Sequence, residues 1–89
     1  MISNRRARFV AEMLHWITGR LAPPGVVVDA HTPLFASGLV SSIKVLDLIA
    51  WTERAIGREI PDTQIRLDNF HSVQRIADVF VEDEEDAAA

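Results

Sequence analysis

Gly38-Leu39-Val40-Ser41-Ser42 runs straight into Ile43-Lys44-Val45-Leu46-Asp47-Leu48-Ile49, and the reading of this stretch decides the rest. A glycine turn delivers two hydroxyls to the start of an amphipathic run. The run predicts a helix over about 42–56 with Gly57 as its stop. Ser41 stands where a serine oxygen can accept from first-turn amides and cap the helix. Ser42 then falls in the first turn, where unpaired N–H groups and the helix dipole favour an anion, so a phosphate esterified to it would be stabilised. The same residues also describe a capped helix with no chemistry, and the surrounding chain has to separate the two readings.

Outward from this stretch the chain reads as all-α. Val10, Met13, Leu14, Ile17 and Leu21, widened by Phe9 and Trp16, follow helical spacing and predict a first helix over about 4–20. Gly19 weakens its end and Pro23-Pro24-Gly25 stops it. Val26-Val27-Val28 has strand-forming character but no partner run, so it is expected as loop packed on the core. The connection 22–40 is longer than most helix–helix links. Within it, Thr32-Pro33 can start a turn that buries Leu34 and Phe35. After the central helix, Ile60-Pro61-Asp62 opens a short segment containing Ile65 and Leu67. Asn69 or Ser72 then caps a last helix bearing Val73, Ile76, Ala77, Val79 and Phe80.

Composition limits what such a chain does. Its 89 residues suit one small domain, and 48% hydrophobic content is enough to build a core. With no cysteine, disulfide staples and thiolate metal sites are excluded. No apolar stretch reaches the roughly 18 residues of a membrane span, and Arg5, Arg6 and Arg8 are not followed by a signal-peptide core. An intracellular, cytoplasmic domain is the expectation. The net charge of −4 is concentrated in Glu82-Asp83-Glu84-Glu85-Asp86; without these five, nine basic residues face eight acidic ones, or +1. The chain therefore divides into a domain over 1–81 and a solvated, flexible acidic tail over 82–89. Three arginines on so neutral a body are too weak a footprint for nucleic acid.

Leu34-Phe35-Ala36-Ser37-Gly38-Leu39-Val40-Ser41-Ser42-Ile43 resembles the signature of acyl and peptidyl carrier proteins, in which a serine carries a 4′-phosphopantetheine arm. Leu46, Leu48 and Ile49 match the family's apolar spacing after that serine. Glu59-Ile60-Pro61-Asp62 resembles the segment that follows its second helix, and Asn69-Phe70-His71-Ser72-Val73 the approach to its last one. The likeness extends over about 7–80, in the family's order. It implies a carrier-protein bundle of three longer helices, a short third element and a long first loop.

The resemblance also implies the chemistry. The arm belongs on Ser42, because the family has an apolar residue directly after the modified serine, and Ile43 provides it. Choosing Ser41 would shift the apolar face by one residue, about 100° around the helix. A phosphopantetheinyl transferase would move the arm from coenzyme A to Ser42. An AMP-forming acyl or aminoacyl ligase, or an acyltransferase, would then load its thiol as a thioester for downstream biosynthetic enzymes. The carrier would make no bond itself and would act as a monomer, presenting its cargo at high effective concentration. Ser41, Lys44, Val45, Asp47, Leu48 and Trp51 are the candidate recognition residues; Val45, Leu48 and Trp51 serve equally well as core.

Two departures qualify the likeness. Ser41 stands where the family usually has an aspartate that engages the transferase. The second helix mixes Lys44 and Arg54 with Asp47 and Glu53, so docking should rely on apolar contact more than on long-range attraction. Elsewhere, His15, His31 and His71 lack metal-ligand spacing, and no base is positioned to make Ser42 a catalytic nucleophile. Glu53, near the apolar face of its helix, is expected to contact the first loop or an arginine. The competing reading is an unmodified carrier-like helical adaptor that binds through Phe9, Trp16 or Trp51.

Overall fold

In a computed structural model, residues 4–81 are described, and the tail assigned to 82–89 lies outside them. Helix α1 spans Arg5–Arg20, α2 Val45–Ile56 and α3 Val73–Phe80. Two single 3₁₀ turns, Asp62–Gln64 and Leu67–Phe70, replace one short third element. There is no strand among the described residues, and the all-α carrier-like bundle is the observed class.

Each helix ends for a local reason. Asn4 Oδ1 accepts from the Ala7 N–H at 3.0 Å to begin α1. Gly57, at φ +74°, closes α2 and donates its N–H to the Glu53 carbonyl at 2.9 Å, a left-handed stop that suits glycine. Ser72, not Asn69, caps α3: its Oγ accepts from the Arg75 N–H at 3.1 Å. At eight residues, α3 is too short to hold itself and depends on packing. Its inner face of Val73, Ile76, Ala77 and Phe80 is buried.

The core joins α1, α3, the inner face of α2 and the long connection. Met13, Ile17, Leu34, Leu48 and Ile76 are fully buried. The stripe of α1 centres on Phe9, Met13 and Ile17, with Val10, Leu14 and Trp16 at its margins. Phe70 and Phe80 pack with ring centroids 5.4 Å apart.

The first loop earns its length by being stitched to α3. The Leu34 N–H donates to the His71 carbonyl at 2.8 Å, and the Gln74 N–H to the Ala30 carbonyl at 2.9 Å. Leu34 is buried, as the Thr32-Pro33 turn predicts, whereas Phe35 is only half-buried at the margin of the core. The three valines do not behave as one packed unit: Val27 is 88% exposed, and only Val28 lies against the core.

Candidate functional site

The loop reaches its corner through Gly38, whose φ of +81° is a left-handed conformation that favours glycine. The turn is closed by the Gly38 N–H donating to the Phe35 carbonyl at 3.0 Å. Val40 then dives into the core, and its N–H donates to the Leu34 carbonyl at 2.9 Å. With the chain pinned there, Ser41, Ser42, Ile43 and Lys44 emerge on the surface, all exposed.

Regular helix starts at Val45, three residues later than the sequence predicts, so Ser42 lies in the turn leading to α2 and not in its first turn. The reason is mixed bonding. Val45 N–H reaches back four residues to the Ser41 carbonyl at 3.1 Å. Leu46 and Asp47 N–H groups instead reach back three, to Ile43 at 3.4 Å and Lys44 at 3.1 Å. This tighter winding settles into α-helix only afterwards.

The two adjacent hydroxyls are differently engaged. Ser41 Oγ accepts from the Lys44 N–H at 3.3 Å; because α2 starts late, with Lys44 as its N-cap and no side-chain cap, this contact closes the preceding turn and does not cap the helix as expected. The Ser42 hydroxyl makes no hydrogen bond among the described residues, and neither do the backbone N–H groups of Ser42 and Ile43. An exposed, uncommitted primary alcohol beside two uncommitted amides fits a phosphodiester: the oxygen is reachable, and donors for the phosphate lie close by in the chain.

The remaining recognition candidates separate by burial. Lys44 and Asp47 are exposed and Val45 is half-buried. Leu48 is 0% exposed and cannot touch a partner; its place is the core, because it lies three residues after Val45 on the inward face with Ile49 and Thr52. Trp51 is half-buried, edge-on to Phe9 at 5.5 Å and stacked on Trp16 at 5.6 Å. It ties α2 to α1. Two residues absent from the sequence-based candidates stand out: Ile43 is 80% exposed and Leu46 68%. Ile43, Leu46, Asp47 and Ala50 share i, i+3, i+4, i+7 spacing and are all exposed, so the helical period itself carried the signal.

Among the described residues Glu53 forms no hydrogen bond or ion pair with the first loop or with an arginine. Its Oε2 accepts from the Ile60 N–H at 2.8 Å, holding the segment after α2 against the core. His15, His31 and His71 are exposed. Among the described residues no helix is long and apolar enough to cross a membrane.

A search of curated proteins finds no match to this chain. The protein family described as the phosphopantetheine attachment site matches it over residues 8–80. That span takes in all of α2 and α3, the serine corner and most of α1. The chain therefore belongs to the phosphopantetheine-binding carrier-protein family, whose members bear the arm covalently.

Proposed function

We propose that the protein is a non-catalytic acyl or aminoacyl carrier whose attachment point is the Ser42 hydroxyl. The observation that carries this reading is the division of labour at the corner: Ser41 Oγ caps the turn at 3.3 Å from the Lys44 N–H, while Ser42 stays exposed and uncommitted. On a phosphopantetheinyl transferase, Ser42 Oγ would lose its proton and bond to the pantetheine-side phosphorus of coenzyme A, as the pyrophosphate bond breaks and adenosine 3′,5′-bisphosphate leaves. When bound, the arm supplies a terminal thiol that holds the cargo as a thioester. The chain's own share is positioning. Gly38 and the buried Val40 hold the corner out from the bundle, and a short tether gives the cargo a high effective concentration at each partner.

Ile43 and Leu46, at 80% and 68% exposure, form the apolar part of the docking surface for the transferase, for a loading ligase or acyltransferase and for downstream biosynthetic enzymes. Ser41, Lys44 and Asp47 form its polar part, with Val45 at the margin. Truncating an exposed apolar anchor at such a contact weakens binding without touching the core. Transfer from coenzyme A is an event of the cytoplasm, and a carrier that visits several enzymes with one small surface works as a monomer.

Intact mass spectrometry after incubation with a broad-specificity transferase and coenzyme A tests the assignment. One added phosphopantetheine is expected on the wild type and on Ser41→Ala, and none on Ser42→Ala. Absence of any gain with several transferases would support the helical-adaptor reading, and a gain on Ser42→Ala would move the arm elsewhere.

A further inference from the structure

Two neighbouring grooves flank the tryptophan pair where α1 meets α2. The larger, about 710 Å³, is lined by Arg8, Arg54 and Arg58, with the buried Phe9 and Phe80 beneath their charges in the same wall. The smaller, about 560 Å³, is lined by Ala11, His15, Gly19 and Arg20. Glu12 and Trp51 line both, so the two share a boundary. Trp16 lines the smaller one and stacks on Trp51 at 5.6 Å, and both rings are half-buried.

Charge of one sign gathers along this surface. Arg8, Arg20, Arg54 and Arg58 are exposed, and none of the four forms an ion pair among the described residues. Arg58 Nη2 donates to the Phe80 carbonyl at 3.4 Å, a contact that does not neutralise it. Of the eight carboxylates outside 82–86, only Glu12 lines either groove. Arg20 and Arg54 stand in the last turns of their helices, where a cation suits the dipole. That explains their sign but not the scarcity of carboxylates beside them. From Arg8 to Arg20, α1 rises about 18 Å, or about three helical turns. Beyond Gly19 the space is open.

We propose that this paired groove receives an acidic amphipathic helix of about three turns from a partner protein. Its carboxylates would face Arg8, Arg20, Arg54 and Arg58, and its apolar stripe would pack on Trp16 and Trp51. The arginines select the sign of the partner, and the aromatic pair, backed by Phe9, supplies the anchor. Ala11 and Gly19 let a helix backbone approach closely between them. Leu46 lies about 140° around α2 from Trp51, so this surface is separate from the apolar face at the serine corner, and both can be engaged at once. The inference is independent of whether Ser42 is modified.

Both tryptophans of the chain line this surface, so the emission of the full chain reports on it directly. The probe is a synthetic peptide of about 12 residues with leucines at helical spacing flanked by glutamates; the control has lysine for each glutamate. A saturable emission change is expected with the acidic peptide at about 0.01 M ionic strength. Affinity should fall about tenfold at about 1 M, where the screening length drops from about 30 Å to about 3 Å. Backbone amide shifts should concentrate in residues 8–20 and 51–58. Changing Arg8 and Arg54 together to Gln should weaken binding between about twofold and thirtyfold, the range for two exposed pairs. Ala11→Glu, at an exposed helical position, should weaken it with the circular dichroism unchanged. No saturable change with the acidic peptide, equal binding of the basic one, or shifts centred on residues 41–47 would overturn the proposal. So would an emission change seen with phosphatidylserine vesicles and not with the peptide, which would make the partner a membrane. A change on dilution of the protein alone would likewise overturn it, making the occupant a second copy.

Discussion

Changing Gly38 and Gly19 separately to alanine should shift stability in opposite directions, although the space around them is the same. A Cβ built at either position meets nothing within 4 Å, so crowding cannot distinguish them. Backbone conformation does. Gly38 sits at φ +81°, where alanine pays roughly 1–2 kcal/mol of left-handed strain. Gly19 is the penultimate residue of α1, where alanine adds helix propensity of about 0.5–1 kcal/mol. For a domain of this size each kcal/mol moves Tm by about 4–8 °C. Gly38→Ala should therefore melt about 4–16 °C lower and Gly19→Ala about 2–8 °C higher, by calorimetry or circular dichroism. Because the serine corner hangs from the Gly38 turn, Gly38→Ala should also slow transferase modification at a temperature where it is still folded, while Gly19→Ala should not. A Gly38→Ala variant that melts no lower than the wild type would refute the reasoning, since it would mean that the turn does not hold glycine in its left-handed form.

Four further outcomes follow from named residues. Leu46→Ala should lower transferase kcat/KM with Tm nearly unchanged, because an exposed side chain contributes within about 0.5 kcal/mol to folding. Leu48→Ala should instead cost about 2–5 kcal/mol of stability as a buried cavity; the reverse pattern in the two assays would invert the faces assigned to α2. Glu53→Ala should destabilise by about 1–3 kcal/mol, because it strands the N–H of Ile60, a residue 4% exposed. Glu53→Gln, which keeps an acceptor, should lose less, read as denaturant midpoints at constant m. Ser41→Asp should preserve the turn contact, since an aspartate oxygen accepts from such an amide as well as a serine oxygen does, and should raise the modification rate by restoring the carboxylate usual in the family; a slower rate with an unaltered melt would show that this transferase reads the serine.

Much of the bundle was legible along the chain because its causes are local. Asn4, Gly57 and Ser72 act within a few residues of themselves, and the stripe through Met13 and Ile17 needs only the helical period. Boundaries were less legible where two bonding patterns compete: the corner at residues 41–44 winds with three- and four-residue bonds together, and composition does not say which prevails. The leucines of α2 show the same limit. In the run Val45-Leu46-Asp47-Leu48-Ile49, Leu46 and Leu48 are chemically alike, yet one is 68% exposed and the other fully buried.

The order of motifs, the helical class and the serine pair were properties of the sequence alone, since residue identity and spacing carry them. Which hydroxyl is spent on closing the turn and which stays uncommitted was decided by the fold. So were Glu53's choice of Ile60 over an arginine and the gathering of Arg8, Arg54 and Arg58 around the exit of α3. Each of these joins groups whose distance depends on how the helices pack, and a one-dimensional pattern does not contain that distance.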